Sequence, residues 1–314
     1  MAAEHVVITL LSIFIMVIPG IILRKKGVVG DSSPTVVAGL ITGLTFPCMI
    51  ITSMQLEYSL RIVNNCKYIL LIFALLVGIS MLIAKLAAKF LKISKQHEGI
   101  LAFMFVFGNS GFLGVPLLNA LFGQEAVFYG ALCDGTYNIF MFSIGMNMIK
   151  SGTESDAKLS FGYAMKGMIN PCFVSVLIGL LLFFTGIKIP NFLFMPMEMV
   201  GSATTPLAMT LIGLRLADVS LKELFIDKKV YVPVFLKLLV APCVALGLVS
   251  LFPSMEMLLK LAIVVESSMP AAMASVIFAE QYKGDVIFAT KGVTLSTILC
   301  VITIPLFVLI VGML

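Results

Sequence analysis

Charge is what this sequence has least of. Only 12% of its 314 residues are Asp, Glu, Lys or Arg, where a soluble globular chain carries about 25%. With 60% apolar residues and a mean hydropathy of +1.12, this excludes a water-soluble fold and points to an integral membrane protein. Histidine is nearly absent: His5 lies at the end of the first apolar run and His97 in a polar break. A serine nucleophile needs a base within hydrogen-bond reach, so Gly108-Asn109-Ser110-Gly111 does not read as a membrane serine protease motif. The six cysteines are scattered, and only Cys66 falls outside an apolar run, so neither a disulfide framework nor a Cys-x-x-Cys metal site is expected. Paired aspartates of the Asp-Asp-x-x-Asp kind, which would hold magnesium for prenyl transfer, are missing, as is any nucleotide-binding motif. The reading is therefore of a protein without a cofactor or metal and not of an enzyme. The net charge of +5 comes from groups between apolar stretches, so nucleic acid is not an expected partner. Met1-Ala2-Ala3-Glu4-His5 lacks the basic region of a signal peptide, and the first apolar run is expected to stay as a span.

What the chain does have is long apolar runs. A spanning helix needs about 20 mostly apolar residues, and ten candidates appear: about 6–23, 34–54, 68–88, 99–121, 126–148, 167–186, 194–214, 230–251, 257–279 and 286–311. Together they leave no room for a soluble domain. The expected fold class is all-α integral membrane with ten transmembrane helices. Of the 21 basic residues, Arg61, Lys67, Lys188 and Lys260 fall on one side of this alternation and Lys237 and Lys291 inside spans. The other fifteen share the opposite side, which is thereby read as cytoplasmic. Both termini are then outside, in a multi-pass protein of the cell membrane.

Shifting the chain by about 160 residues lays its halves over each other. Gly123-Gln124-Glu125-Ala126-Val127-Phe128 faces Lys283-Gly284-Asp285-Val286-Ile287-Phe288, and Pro47 faces Pro206. Five spans per half, an odd number, means that the second half enters the membrane upside down, the inverted-repeat plan of many secondary transporters. The expected units are residues 1–150, a short cytoplasmic linker at 151–160, and residues 161–314.

Spans four and nine are interrupted, by Gly108-Asn109-Ser110-Gly111-Phe112-Leu113-Gly114-Val115-Pro116 and by Glu266-Ser267-Ser268-Met269-Pro270. Irregular backbone at membrane depth is tolerated only inside protein or beside a water-filled cavity. Half-helix N-termini then suit an anion, while C-termini and loose carbonyls suit a cation; kinked helices with small residues for close packing are the plainer reading. Ionisable residues at membrane depth are costly and mark function. Asp134 sits mid-span with Asn138 one helical turn on, Glu266 sits at the break of span nine, and Lys291 lies in the first turns of span ten. Lys237 reads either as a partner for an acid or as a snorkelling group, and Glu198 as a solvated residue near a helix end.

These residues resemble the auxin efflux carrier family. The similarity covers the span-four segment, Asn170-Pro171 with Gly179 in span six, Ala203-Thr204-Thr205-Pro206-Leu207-Ala208 with Gly213 in span seven, and Leu295-Ser296-Thr297 in span ten. The resemblance implies two inverted five-helix repeats, a scaffold of helices one, two, six and seven, and a transport unit of helices three to five and eight to ten, in which the fourth and ninth unwind and cross. It also implies a carrier of organic anions, malonate, malate or auxin among them, working as an elevator-type homodimer. The short linker argues for a prokaryotic-type member. Val265-Glu266-Ser267-Ser268-Met269 is also similar to the ninth-helix segment of the bile acid sodium symporters, whose acid coordinates sodium, although Pro270-Ala271 stands here in place of their Gln-Asn.

The expected function is secondary active transport of a small mono- or dicarboxylate. Asn109, Ser110, Gly111, Pro116, Asn138, Ser268 and Pro270 are the expected substrate site, and Asp134, Glu266, Ser267 and Lys291 the ion-coupling set. Proton coupling is the favoured reading. Sodium held at Glu266 and potential-driven uniport stay open, and an ion channel and a transporter-like sensor are the rival classes.

Overall fold

A computed structural model describes residues 3–150, 169–218, 224 and 227–313. The expected linker at 151–160, with Lys158, lies outside the described residues, as do Lys166 and Lys222. Each apolar run becomes helical, and no strand forms among the described residues beyond one isolated bridge between Gly108 and Ala271. The first run gives α1 (Ala3–Ile15) and α2 (Val17–Lys25), and the second gives α3 (Ser33–Ser53). The third gives α4 (Leu60–Phe90). Span four divides into α5 (Lys95–Val106) and α6 (Ser110–Phe122). Next comes α7 (Gln124–Phe140), which runs on through a π turn at Met141–Gly145 into Met146–Lys150. In the second half follow α8 (Pro171–Thr185), α9 (Asn191–Ser202), α10 (Thr204–Ala217) and α11 (Lys228–Ser250). Span nine divides into α12 (Met257–Ser267) and α13 (Ala274–Gln281), and α14 (Val286–Val311) ends the chain.

Among the described residues five stretches are helical, long and apolar enough to cross a membrane: Ile8–Lys25, Ser33–Ser53, Leu60–Phe90, Lys228–Ser250 and Val286–Val311. The helices of spans four, seven and nine are shorter because their sequences interrupt them, at residues 107–109, at Ala203 and at residues 268–273. Helix starts follow local chemistry. Asn170 accepts a hydrogen bond from the Phe173 amide (3.0 Å) with Pro171 in the first turn of α8, and Asp285 accepts one from the Phe288 amide (2.9 Å) at the start of α14. Gly186, in the left-handed region at φ +70°, ends α8. α4 starts at Leu60 and not near 68, because Ser59 caps it and polar Asn65 turns inward to the Tyr129 hydroxyl (3.0 Å) and Glu256. Cys66 therefore belongs to a helix as well.

Glycines let helices approach closely. α2 crosses α10 backbone to backbone where Gly20 meets Gly213, and α8 crosses α3 with Gly179 against the Met54 side chain just past the end of α3. Side chains facing away from these contacts are apolar and exposed, among them Ile15, Leu181, Phe184, Phe192 and Met199. In water such a surface would aggregate, and lipid is its natural solvent. Loop contacts fall into two groups. In one, Arg61 reaches Glu125 (2.7 Å) and Glu256, Gln124 reaches Glu198 (3.0 Å), and Lys188 reaches the Gln55 carbonyl (2.7 Å). In the other, Arg24 bridges Asp31 and Asp218 (2.6 Å each), His97 pairs with Asp285 (2.9 Å), and Lys291 lies 3.5 Å from Asp227.

Candidate functional site

The two broken spans meet at their breaks. The Asn109 amide donates to the Pro270 carbonyl (2.8 Å), and the Ala272 amide donates to the Phe107 carbonyl (3.1 Å). Groups freed by each break are thus satisfied by the other, the condition for irregular backbone at membrane depth. Ser296 on α14 completes the junction, its hydroxyl accepting from the Ala271 amide (3.1 Å) and donating to the Val293 carbonyl (2.9 Å).

Beside this crossing lies a cavity of about 390 Å³, within the range of small-molecule sites. Gly108, Asn109, Ser110, Gly111 and Phe112 form one wall, and Ala272, Met273 and Ala274 a second. Asp134, Tyr137 and Asn138 of α7 line it too, facing Thr42 of α3 and Asn170 of α8. α6 and α13 both begin at this cavity. The first turn of a helix carries its partial positive charge, and two such ends converge on one space, with the Ser275 and Val276 amides of α13 already donating to the Ala272 and Met273 carbonyls (3.0 Å each). Asp134 supplies the opposite charge. Its carboxylate accepts from Ser110 (2.5 Å) and from Asn138 (3.1 Å).

Of the expected substrate residues, Asn109, Ser110, Gly111 and Asn138 come together at the cavity. Pro270 lies in the junction behind it, through its carbonyl. Pro116 sits inside α6, its carbonyl accepting from Thr205 (3.3 Å), and Ser268 spends its hydroxyl on the Val264 carbonyl (2.7 Å). The expected coupling set divides as well. Asp134 is at the cavity, Glu266 is fully buried away from it, and Ser267 donates to the Ile263 carbonyl (2.7 Å). Lys291 stands apart at Asp227. Ser110 bonds to a carboxylate and His97 to Asp285, so no serine–histidine pair forms at this site. Among the described residues no group of three or more His, Cys, Asp or Glu side chains gathers to hold a metal ion.

Sequence reasoning missed Thr42, Tyr137 and Asn170 as lining residues. The signal for Asn170 was its place before Pro171 at a helix start. For Thr42 and Tyr137 nothing local distinguishes a lining residue from a packed one. Three of the four π turns, wider than an α turn and frequent at functional sites, border the cavity at Ile41, Ser110 and Met141.

Comparison with known proteins decides the family. Residues 5–308 match the family described as membrane transport protein. The chain belongs to that family. It is the auxin efflux carrier-like family that the span-four motif resembles, and with the apolar helices it makes the chain a multi-pass membrane protein. An uncharacterized transporter of Methanocaldococcus jannaschii is 25% identical over 304 residues, covering 95% of this chain and 96% of the relative. An uncharacterized transporter of Methanothermobacter thermautotrophicus is 25% identical over 300 residues, with the same coverage. The family and these relatives are transporters.

Proposed function

We propose that this membrane transport protein is a secondary carrier of a small organic anion, a mono- or dicarboxylate, which binds in the cavity beside the helix crossing. The observation that carries the reading is the convergence of two helix N-termini, α6 and α13, on a space that also holds one carboxylate, Asp134. Backbone amides at helix starts are ready-made anion sites. An anion beside a charged Asp134 would be repelled, by several kcal/mol at 4 Å in a medium of effective dielectric about 20. Binding therefore favours the protonated acid, which supports proton coupling through Asp134 over sodium coupling or uniport.

Ten spans in two inverted repeats are supported by two features. The loop contacts separate into the two groups that ten alternating crossings demand, with both termini outside. The junction is also two-fold: exchanging 107 with 270 and 109 with 272 turns one hydrogen bond into the other, and the α2–α10 contact has its counterpart in α8–α3. Because the cavity lies between α3 and α8 on one side and the crossing on the other, an elevator motion of α4–α7 with α11–α14 against α1–α3 with α8–α10 would carry it across the membrane. A homodimer in the cell membrane, resting on the scaffold helices, completes the proposal.

The test is a panel of mono- and dicarboxylates against the purified protein. A ligand at 100 times its dissociation constant adds about 2.7 kcal/mol of stability, which a thermal shift reads directly. Stabilisation by a carboxylate, weakened in Asn109→Ala and followed by saturable uptake with counterflow in liposomes, is the expected result. Flux that neither saturates nor shows counterflow would mark a channel.

A further inference from the structure

We propose that the Lys237 ammonium is a tethered cation, filling the place at the helix crossing where Glu266 would otherwise hold a monovalent metal ion. Lys237 lies in the fourth π turn, Leu236–Val240, and is fully buried. Its Nζ reaches the crossing, 3.1 Å from where a β-carbon on Gly108 would stand and 5.8 Å from the centre of the Tyr137 ring. Glu266 is equally buried, its carboxylate against Gly114 and Gly130. Neither the ammonium nor either carboxylate oxygen has a hydrogen-bond partner among the described residues, and no direct ion pair joins them, although each lies within the other's field.

A carboxylate taken out of water without donors must be compensated by a charge. The groups facing Glu266 narrow the choice. Asp134, whose field also reaches it, has the same sign. Ser267 and Ser268 have donated their protons to carbonyls of their own helix and offer Glu266 no hydrogen bond. Glu266 is therefore a bare carboxylate, a hard oxygen ligand that suits a hard cation, and among the described residues the Lys237 ammonium is the positive charge whose field reaches it. Gly108 has no side chain to keep that ammonium away. The inference deepens the carrier reading, on which it rests only for the coupling ion: with the cation built in, Glu266 takes up no sodium, and Asp134 is left to exchange protons.

The experiment uses the full-length protein in detergent at constant pH and ionic strength, with sodium chloride exchanged for choline chloride. Wild type should show no sodium-specific shift in Tm. Lys237→Ala removes the ammonium, leaves space beside an uncompensated carboxylate and should gain a saturable, sodium-specific stabilisation that Lys237→Ala with Glu266→Gln loses. Sodium stabilising the wild type, or failing to stabilise Lys237→Ala, overturns the proposal. Should Lys237→Ala not fold, Lys237→Met, Glu266→Gln and their double variant decide it. Each single change leaves one buried charge alone, so the double variant should unfold at a higher temperature than either; a double variant no more stable than the singles overturns the proposal. No organic anion is present and no flux is measured, so failure here leaves the carrier reading standing. Failure of the carboxylate panel would count against the carrier reading without touching this one.

Discussion

Asp134 and Glu266 are both buried acids with different neighbours, and the neighbours separate their roles. Asp134 accepts two side-chain hydrogen bonds and faces the cavity, while Glu266 accepts none and faces a lysine. Asp134→Asn keeps the shape and the bond from Ser110 but loses one acceptor, a cost of about 1 kcal/mol. The variant should fold, bind carboxylate and lose the pH dependence of uptake, as measured in liposomes with the pH difference set independently of the membrane potential. Unchanged pH dependence would remove Asp134 from coupling. A third acid, Asp285, lies outside the apolar runs. Partial burial pushes its pKa up, but hydrogen bonds from the Phe288 amide and the His97 ring, with the His97 charge, outweigh this and hold it below the usual carboxylate value. A folded-state pKa below the unfolded one means that its contribution is complete above the unfolded value of about 3.9 and disappears as the pH falls through the lower folded value. The Tm difference between wild type and Asp285→Asn should therefore persist in mildly acidic buffer and close in strongly acidic buffer.

At the scale of the helix, the glycines of span four do something other than unwind it. Only Gly108 belongs to the break; Gly111 and Gly114 lie in the π turn that opens α6. At three-residue spacing each gives room to one buried charge: Gly108 to Lys237, Gly111 to Asp134 and Gly114 to Glu266. A β-carbon at 114 would stand 2.7 Å from the Glu266 carboxylate carbon, nearer than packed atoms come. Gly114→Ala should lower stability by about 1–3 kcal/mol, the ordinary cost of overpacking, and Glu266→Asp should recover part of it by drawing the carboxylate back. Gly213→Ala should cost a similar amount with no such rescue, because its β-carbon meets the Val17 carbonyl and the Gly20 backbone, which cannot be shortened. Thermal unfolding of the three variants checks both expectations.

At the scale of the molecule, the Gln124–Glu198 hydrogen bond joins the proposed moving bundle to the proposed scaffold, whereas Arg61–Glu125 lies within the moving bundle. If transport is an elevator motion, a short cleavable cross-linker between cysteines at 124 and 198, in a background without the six native cysteines, should abolish uptake and cleavage should restore it. The same linker between 61 and 125 should leave uptake intact. Equal inhibition by both links would argue against a sliding bundle.

The membrane-spanning character, the helical stretches and the two interruptions were legible in the order of residues alone. Each depends on local quantities: apolar length, the scarcity of charge, and glycine or proline where the backbone must open. The family resemblance was legible for the same reason, since its motifs sit at those interruptions. Which charge faces which helix was not. Helices that are apolar on nearly every side carry no periodic signal for the face turned inward, so Asp134 and Glu266 read as one coupling set, and Lys237 remained as open to snorkelling as to pairing. Only the crossing of spans four and nine, held by two backbone hydrogen bonds between residues more than 160 apart, put Asp134 on the cavity and left Lys237 and Glu266 buried, off its lining and without hydrogen-bond partners among the described residues. That division comes from how helices pack in three dimensions, and no local pattern encodes it.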